Sequence, residues 1–273
     1  MTAPEHDIED HDRGLLFDMQ QLVGRRRALA LLGGTALAAL AGCAAAGSGT
    51  ATGATTSSSA STAATDVPVI PEETAGPYPA DGSNGQNVLT ESGIVRSDIR
   101  SSFGSSTTTA QGVPLTIRLT LLRADGDTPV EGAAVYLWHC NRAGQYSMYD
   151  RAVADENYLR GMQASAADGS VTFTSIFPAC YSGRWPHVHF EVYTSLDEAT
   201  AAGRILATSQ IALPEDPCST VYATTGYEQS VSNLTRVSLD RDNVFGDDGG
   251  VSQLATMSGD VDSGFTAALT VGL

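Results

Sequence analysis

The stretch Tyr181-Ser-Gly-Arg184-Trp-Pro-His187-Val-His189-Phe190-Glu-Val192 decides how this chain is read. Val188, Phe190 and Val192 alternate with His187, His189 and Glu191, the period of a strand that sends apolar residues to one face and both imidazoles to the other. Two residues of strand rise amount to roughly 6.5 Å. Imidazoles starting that far apart on one face can converge on a single first-row metal ion. Pro186 is tolerated at the first residues of a strand or on an edge, which places the pair at a sheet rim.

Working outward, the same alternation of β-branched and aromatic residues recurs in 115–122, 134–140, 170–176 and 205–213. Turn-forming pairs separate them: Asp125-Gly126-Asp127, Ala143-Gly144, Asp168-Gly169 and Ser182-Gly183. Helical signal is sparse, confined to Ser195 through Gly203, with Ser195 as the cap, and to Cys218 through Tyr222. Short, regularly spaced strands with little helix predict an all-β fold, an antiparallel β-sandwich whose long loops carry the site.

Ahead of this domain the composition changes. Arg25-Arg26-Arg27 precede a 14-residue apolar run from Ala28 to Ala41, short of the roughly 20 residues a membrane-spanning helix requires. A basic flank, a short apolar run and a small-residue end make residues 1–43 an expected export signal. The arginines resemble a twin-arginine signal, and Leu40-Ala41-Gly42-Cys43 resembles the lipobox of bacterial lipoproteins. Cys43 is then the expected lipid anchor, and more than one acyl chain is needed for durable attachment. The expected location is outside the cytoplasm, as a cell-surface or periplasmic lipoprotein. Residues 44–67, rich in Ala, Gly, Ser and Thr, read as a flexible linker that cannot offset its ordering entropy by burial. The remaining 206 residues, 68–273, are expected to form one domain with no internal repeat.

With the six acids and four arginines ahead of Cys43 set aside, 25 acids and 11 arginines remain, a formal charge of −14 with no lysine. A binder of phosphate backbones needs a basic face, so nucleic acid is excluded as a partner. An acidic surface that keeps an exported protein soluble accounts for the charge. Beyond Cys43 lie Cys140, Cys180 and Cys218, an odd number that allows one disulfide and one free thiol. Cys180 with Cys218 is the expected pair, because Cys140 sits within a strand flanked by candidate chemistry. No closely spaced cysteine pair suggests structural zinc.

Two more segments join the histidines. Trp138-His-Cys-Asn-Arg-Ala-Gly144-Gln-Tyr146-Ser147 ends a strand in a glycine turn that presents a tyrosine, and Phe177-Pro-Ala-Cys-Tyr181 presents another. Phenolate is a hard anionic donor, and a ferric ion is charged enough to ionise a phenol whose ordinary pKa is roughly 10. These segments, with Gly76-Pro77-Tyr78, the run Gly132 to His139 and Tyr158-Leu-Arg-Gly161, resemble the intradiol aromatic-ring dioxygenases, the family of catechol 1,2-dioxygenases and protocatechuate 3,4-dioxygenases. The resemblance spans most of 68–273 and is nearest to exported, single-domain members.

The resemblance implies a non-haem Fe(III) held by Tyr146 and His189 as equatorial ligands and by Tyr181 and His187 as axial ones, with hydroxide in the fifth place. It implies a small aromatic diol and dioxygen as substrates and a cis,cis-muconate type product. The diol displaces Tyr181, whose phenolate can then accept a proton. Arg184 aligns with an arginine that stabilises charge building on the substrate ring, and Gln210 with a pocket glutamine beside it. Tyr78 is either a pocket wall or a packing anchor. His139 reads as a packing residue, and the Gly-x-Tyr spacing selects Tyr146 over Tyr149 and Tyr158. The N-terminal helical dimerisation domain of the catechol branch has no counterpart ahead of Pro68, so dimerisation through it is not expected and the oligomeric state stays open. The alternative reading is an exported β-sandwich that binds a ligand or partner without turnover. A copper or zinc site using the histidine pair is a third.

Overall fold

The computed structural model describes residues 67–273 except 126, 127 and 202. The expected export signal, Cys43 and all but the last residue of the expected linker lie outside the described residues, as do Gly126 and Asp127 of one expected turn. Among the described residues the chain forms eight strands: β1 (Pro114–Leu122), β2 (Ala134–Trp138), β3 (Arg160–Ala164), β4 (Ser170–Ile176), β5 (His187–Tyr193), β6 (Ile205–Ala212), β7 (Thr256–Asp260) and β8 (Gly264–Gly272). Three short helices, α1 (Leu196–Thr200), α2 (Glu215–Tyr222) and α3 (Glu228–Leu234), interrupt the second half. None is long and apolar enough to cross a membrane.

The strands make two four-stranded sheets, β4-β1-β8-β7 and β3-β2-β5-β6. Every pairing is antiparallel except β1 with β8, which run parallel from Leu115 opposite Phe265 to Leu122 opposite Gly272. The sandwich is therefore mixed at that one seam. The alternation in β1 does what its period requires: Leu115, Ile117, Leu119 and Leu121 are buried while Thr116, Arg118 and Thr120 are not. They meet Phe173 of β4, Phe265 of β8, Val135 and Leu137 of β2, and Val188, Phe190 and Val192 of β5 in one core between the sheets.

β5 departs from a half-buried strand. All seven of its residues are buried, the polar ones included. Its outer face lies beneath a second apolar cluster, in which Tyr136, Trp138 and Tyr193 pack with Ala80, Val88, Leu89, Ile94 and Tyr146 from the loops. The strand is central, between β2 and β6, and Pro186 lies just ahead of its first residue. The histidines thus sit at the beginning of a central strand, not along an edge.

Local chemistry explains the remaining differences. α1 begins where expected, with Ser195 Oγ accepting from the Glu198 amide at 3.2 Å. α2 starts three residues before Cys218, because Pro217 falls in the first turn, where a missing N–H costs nothing. β3 reads Arg-Gly-Met-Gln-Ala, a composition with helix-forming residues and a glycine, and is a strand because it pairs with β2. The expected Cys180–Cys218 disulfide does not form. Cys140, Cys180 and Cys218 are buried thiols, and Cys140 and Cys180 direct their sulfurs to the carbonyls of Ala179 and Arg184 at 3.7 and 3.5 Å. Burial pushes both of these thiols up to about 12, which makes them poor nucleophiles.

Candidate metal centre

The register across the second sheet lays a row of side chains over its outer face: Trp138 of β2 opposite His189 of β5, and His189 opposite Gln210 of β6. The Trp138 indole stacks on the His189 ring, centroids 5.0 Å apart and planes 5° from parallel. That stack fixes the ring plane of a histidine which would otherwise rotate. His187 is fixed differently. Its Nδ1 donates to the Trp185 carbonyl at 2.5 Å, so the lone pair resides on Nε2, the nitrogen that faces the loops.

Two loops complete the group. Asn141 Oδ1 accepts from the amides of Ala143 and Gln145 at 2.9 and 3.0 Å, closing the turn that delivers Tyr146. Gly144 has φ +83°, and a Cβ there would lie 3.1 Å from the Cβ of Tyr181, so the two tyrosine-bearing loops touch at this glycine. Gly144→Ala is expected to cost about 1–2 kcal/mol, measured as a lower melting temperature. Gly76 does the same from the other side: φ is +71°, and a Cβ would lie 3.3 Å from His189 Cε1.

The result is convergence. The Nε2 atoms of His187 and His189 are 3.1 Å apart, Tyr181 Oη is 3.1 Å from His187 Nε2, and Tyr146 Oη is 3.4 Å from His187 Nε2 and 3.2 Å from His189 Nε2. Tyr146, His187 and His189 are buried, while Tyr181 keeps partial exposure. Burial holds the Tyr146 phenol well above its ordinary range and, reinforced by nearby positive charge, both imidazoles below theirs. The imidazole Nε2 atoms and the phenol oxygens therefore face one another at hydrogen-bond distance. Ligands about 2.1 Å from one ion stand about 3.0–3.4 Å apart, the spacing these four atoms show. Two imidazoles with two phenols suit a hard, highly charged cation that ionises the phenols. Among the described residues no group of three or more His, Cys, Asp or Glu side chains is placed to hold an ion, so the phenols are essential to this donor set.

Arg184 is buried beside the group, and its positive charge is felt at Tyr146, His187 and His189. Its Nη2 donates to Gln210 Oε1 at 2.7 Å, while Gln210 Nε2 donates to the Thr74 carbonyl at 2.9 Å. Both ends of the Gln210 amide are therefore engaged, tying Arg184 to the loop that carries Gly76. The remaining sequence candidates separate cleanly. Tyr149 Oη bonds Asn84 and the Ala80 amide, and Tyr158 Oη lies 3.3 Å from Asn141 Nδ2. His139 uses its ring nitrogens on Cys140 O and Ser175 Oγ, as a packing residue does. Tyr78 lies against Tyr146 with centroids 4.9 Å apart, the contact of a packing anchor. Glu191, the third polar residue on the histidine face, accepts from Tyr193 Oη at 2.7 Å, and burial pushes its carboxyl up to about 8.

Two residues have no forewarning in the motifs. Arg160, fully buried on β3, donates to Ser147 Oγ and O, Pro79 O and Tyr136 Oη at 2.9–3.1 Å and so braces the residue after Tyr146. Asp242 pairs with Arg184 at 3.0 Å. Burial alone would raise its carboxyl, but the guanidinium and its hydrogen bonds outweigh that and hold it below the usual carboxylate range. Arg160 stands in a quoted motif without any signal of burial, and no spacing links Asp242 to a residue 58 positions away. Backbone strain gathers around the site as well: Ala80, Met148 and Leu159, in the loops wrapping Tyr146, are the non-glycine residues with positive φ among those described.

Residues 96–218 match the family model described as Dioxygenase. Over 60 residues the chain is 40% identical to chlorocatechol 1,2-dioxygenase of Rhodococcus opacus, covering 22% of this chain and 23% of that protein. Over 69 residues it is 41% identical to catechol 1,2-dioxygenase 1 of Acinetobacter lwoffii, covering 25% of this chain and 22% of that one. The matched segments thus span under a quarter of the length of these curated relatives. Among solved structures, the chain is similar to an intradiol ring-cleavage dioxygenase from Tetranychus urticae, with 25% identity, a TM-score of 0.55, and coverage of 67% of this chain and 87% of that one.

Proposed function

We propose that this chain, whose residues 96–218 match the Dioxygenase family model, is an intradiol ring-cleavage dioxygenase that opens a catechol-type aromatic diol between its two hydroxyl-bearing carbons. The carrying observation is the convergence of two phenol oxygens and two imidazole Nε2 atoms within 3.1–3.4 Å, in a buried site beside a fixed guanidinium. Tyr146, Tyr181, His187 and His189 would hold a non-haem Fe(III), which when bound supplies Lewis acidity and a template for diol and dioxygen. Both atoms of dioxygen end in the two carboxylates of a cis,cis-muconate type product, so the reaction balances without an external reductant.

The chain's own residues divide the remaining work. His187 and His189, held by the Trp185 carbonyl and the Trp138 stack, present their Nε2 atoms with little reorganisation. Tyr181, the ligand candidate with solvent exposure, is the one able to swing out and take a proton at Oη from the incoming diol. Arg184 places a desolvated positive charge where negative charge builds on the ring, and Gln210 holds it there. Tyr78, packed at a tilt against Tyr146, offers an aromatic wall suited to an aromatic substrate. In the same proposal the domain is exported and anchored through Cys43, which brings a soluble small diol to an enzyme at the cell surface.

Ferric loading of the purified protein is expected to produce a red-brown colour from tyrosinate-to-iron charge transfer, together with oxygen uptake on a panel of catechols. Products opened beside the diol instead of between its hydroxyls would refute the mechanism. A protein that stays colourless after loading would favour a non-catalytic binding sandwich instead.

A further inference from the structure

We infer that Asp242, carried on the loop after the 3-10 turn Leu239–Arg241, is the positioning residue that aligns both the guanidinium and one histidine of the site. Its Oδ2 accepts from Arg184 Nε at 3.0 Å and from the Trp185 amide at 2.7 Å. Its Oδ1 accepts from Arg184 Nη2 at 3.3 Å and from the amides of Val244 and Phe245 at 2.9 and 3.3 Å. The two contacts on Oδ2 have different destinations. One sets the plane of the Arg184 fork, whose Nη2 continues to Gln210. The other holds the N–H of Trp185, the residue whose carbonyl, one peptide unit further on, receives the His187 Nδ1 proton and so aims His187 Nε2 at the two tyrosines and His189.

The loop is seated firmly enough to transmit this. Val244 and Phe245 pack with Trp185 and Ala212 in their own buried cluster, and the Trp185 indole donates to the Leu213 carbonyl at 2.8 Å. Asp242 is a fully buried carboxylate whose acceptor capacity is shared between the site and its own loop. A purely structural ion pair would need the first contact only. The peptide contact, one residue from Arg184 and two from His187, makes the carboxylate a common reference point for both groups.

This inference rests on the proposed reaction, so its test has readouts both with turnover and without it. Asp242→Asn and Asp242→Glu are compared with the unaltered protein, full length and ferric-loaded, for ferric affinity, charge-transfer absorption, and kcat and KM of oxygen uptake with catechol. Asp242→Asn is expected to lower kcat by about 10- to 100-fold, with a smaller change in KM, to weaken ferric binding and to shift the absorption band. Asp242→Glu, which keeps the charge but displaces the carboxylate, is expected to fall between the two. Adding Arg184→Gln to Asp242→Asn should cost less than the two single effects combined, because both act through one guanidinium. A folded Asp242→Asn with unchanged kcat and absorption, or full additivity with Arg184→Gln, overturns the inference. Where Asp242→Asn does not fold, Asp242→Glu with unaltered kcat and absorption overturns it equally. If the unaltered protein consumes no oxygen with any diol, the proposed reaction fails. Ferric affinity and absorption of the variants then decide on Asp242 alone, unchanged values counting against it.

Discussion

Tyr146→Phe is expected to abolish most turnover while leaving the fold in place. The substitution removes only the oxygen that lies 3.2 Å from His189 Nε2 and 3.4 Å from His187 Nε2, and it keeps the ring that packs against Tyr78. Loss of a side chain that merely supports a metal ligand costs about 10- to 100-fold, and loss of a ligand should exceed that. Stability without metal should change by no more than about 1 kcal/mol, because the phenol's partners are other ring groups of the same cluster. The measurements are oxygen uptake, ferric titration and the visible spectrum, in which the charge-transfer band should weaken and shift. Tyr149→Phe is the control. Its hydroxyl bonds Asn84 and the Ala80 amide, so ferric binding and colour should survive. A Tyr146→Phe protein with the colour and rate of the unaltered one would remove this residue from the site.

Arg160→Met is expected to produce the largest loss of stability of any single change near the site. The Arg160 side chain is buried and makes four hydrogen bonds, to Ser147 Oγ, Ser147 O, Pro79 O and Tyr136 Oη. Methionine fills much of the volume but leaves buried acceptors with fewer donors, each worth about 1–3 kcal/mol when it is left unsatisfied. A total of about 3 kcal/mol or more is expected, equivalent to roughly 6–12 °C in melting temperature for a domain of this size. Activity should fall in parallel, because Ser147 follows Tyr146 directly. Arg160→Lys should recover only part, since an ammonium cannot reproduce the planar fork. A melting temperature within about 2 °C of the unaltered protein would mean that the loops over β3 are held by packing alone.

The strands that were legible in the chain share one property. Residues 115–122, 170–176 and 187–193 carry β-branched or aromatic residues at period two, and the structure shows strands over those segments. β3, β7 and β8 lacked that signal. β3 has helix-forming residues around a glycine, β7 is mostly exposed, and β8 presents Ala267 where bulkier residues would have marked an inward face. These strands exist because a neighbour supplies the hydrogen-bond ladder, information that lies elsewhere in the chain. The parallel seam between β1 and β8 is of the same kind: nothing in either segment encodes direction. The disulfide expectation failed because an odd number of cysteines limits pairing without specifying it, and here all three thiols are buried without pairing.

The donor types are a property of the sequence itself. His-x-His on a strand puts two imidazoles on one face by the geometry of the pleat, and a glycine turn before Tyr146 presents its phenol. The alternation around Phe190 and the sparse helix signal likewise determined an all-β sandwich. Only the tertiary structure decided that Tyr146 and Tyr181 reach the same point as His187 and His189. It alone placed Trp138 against His189 and set Arg160 and Asp242 beneath the loops. Those relations join residues tens of positions apart, through strand register and loop closure. A local sequence pattern reports the period and chemistry of a segment, whereas the distance between segments depends on how every other part of the chain packs.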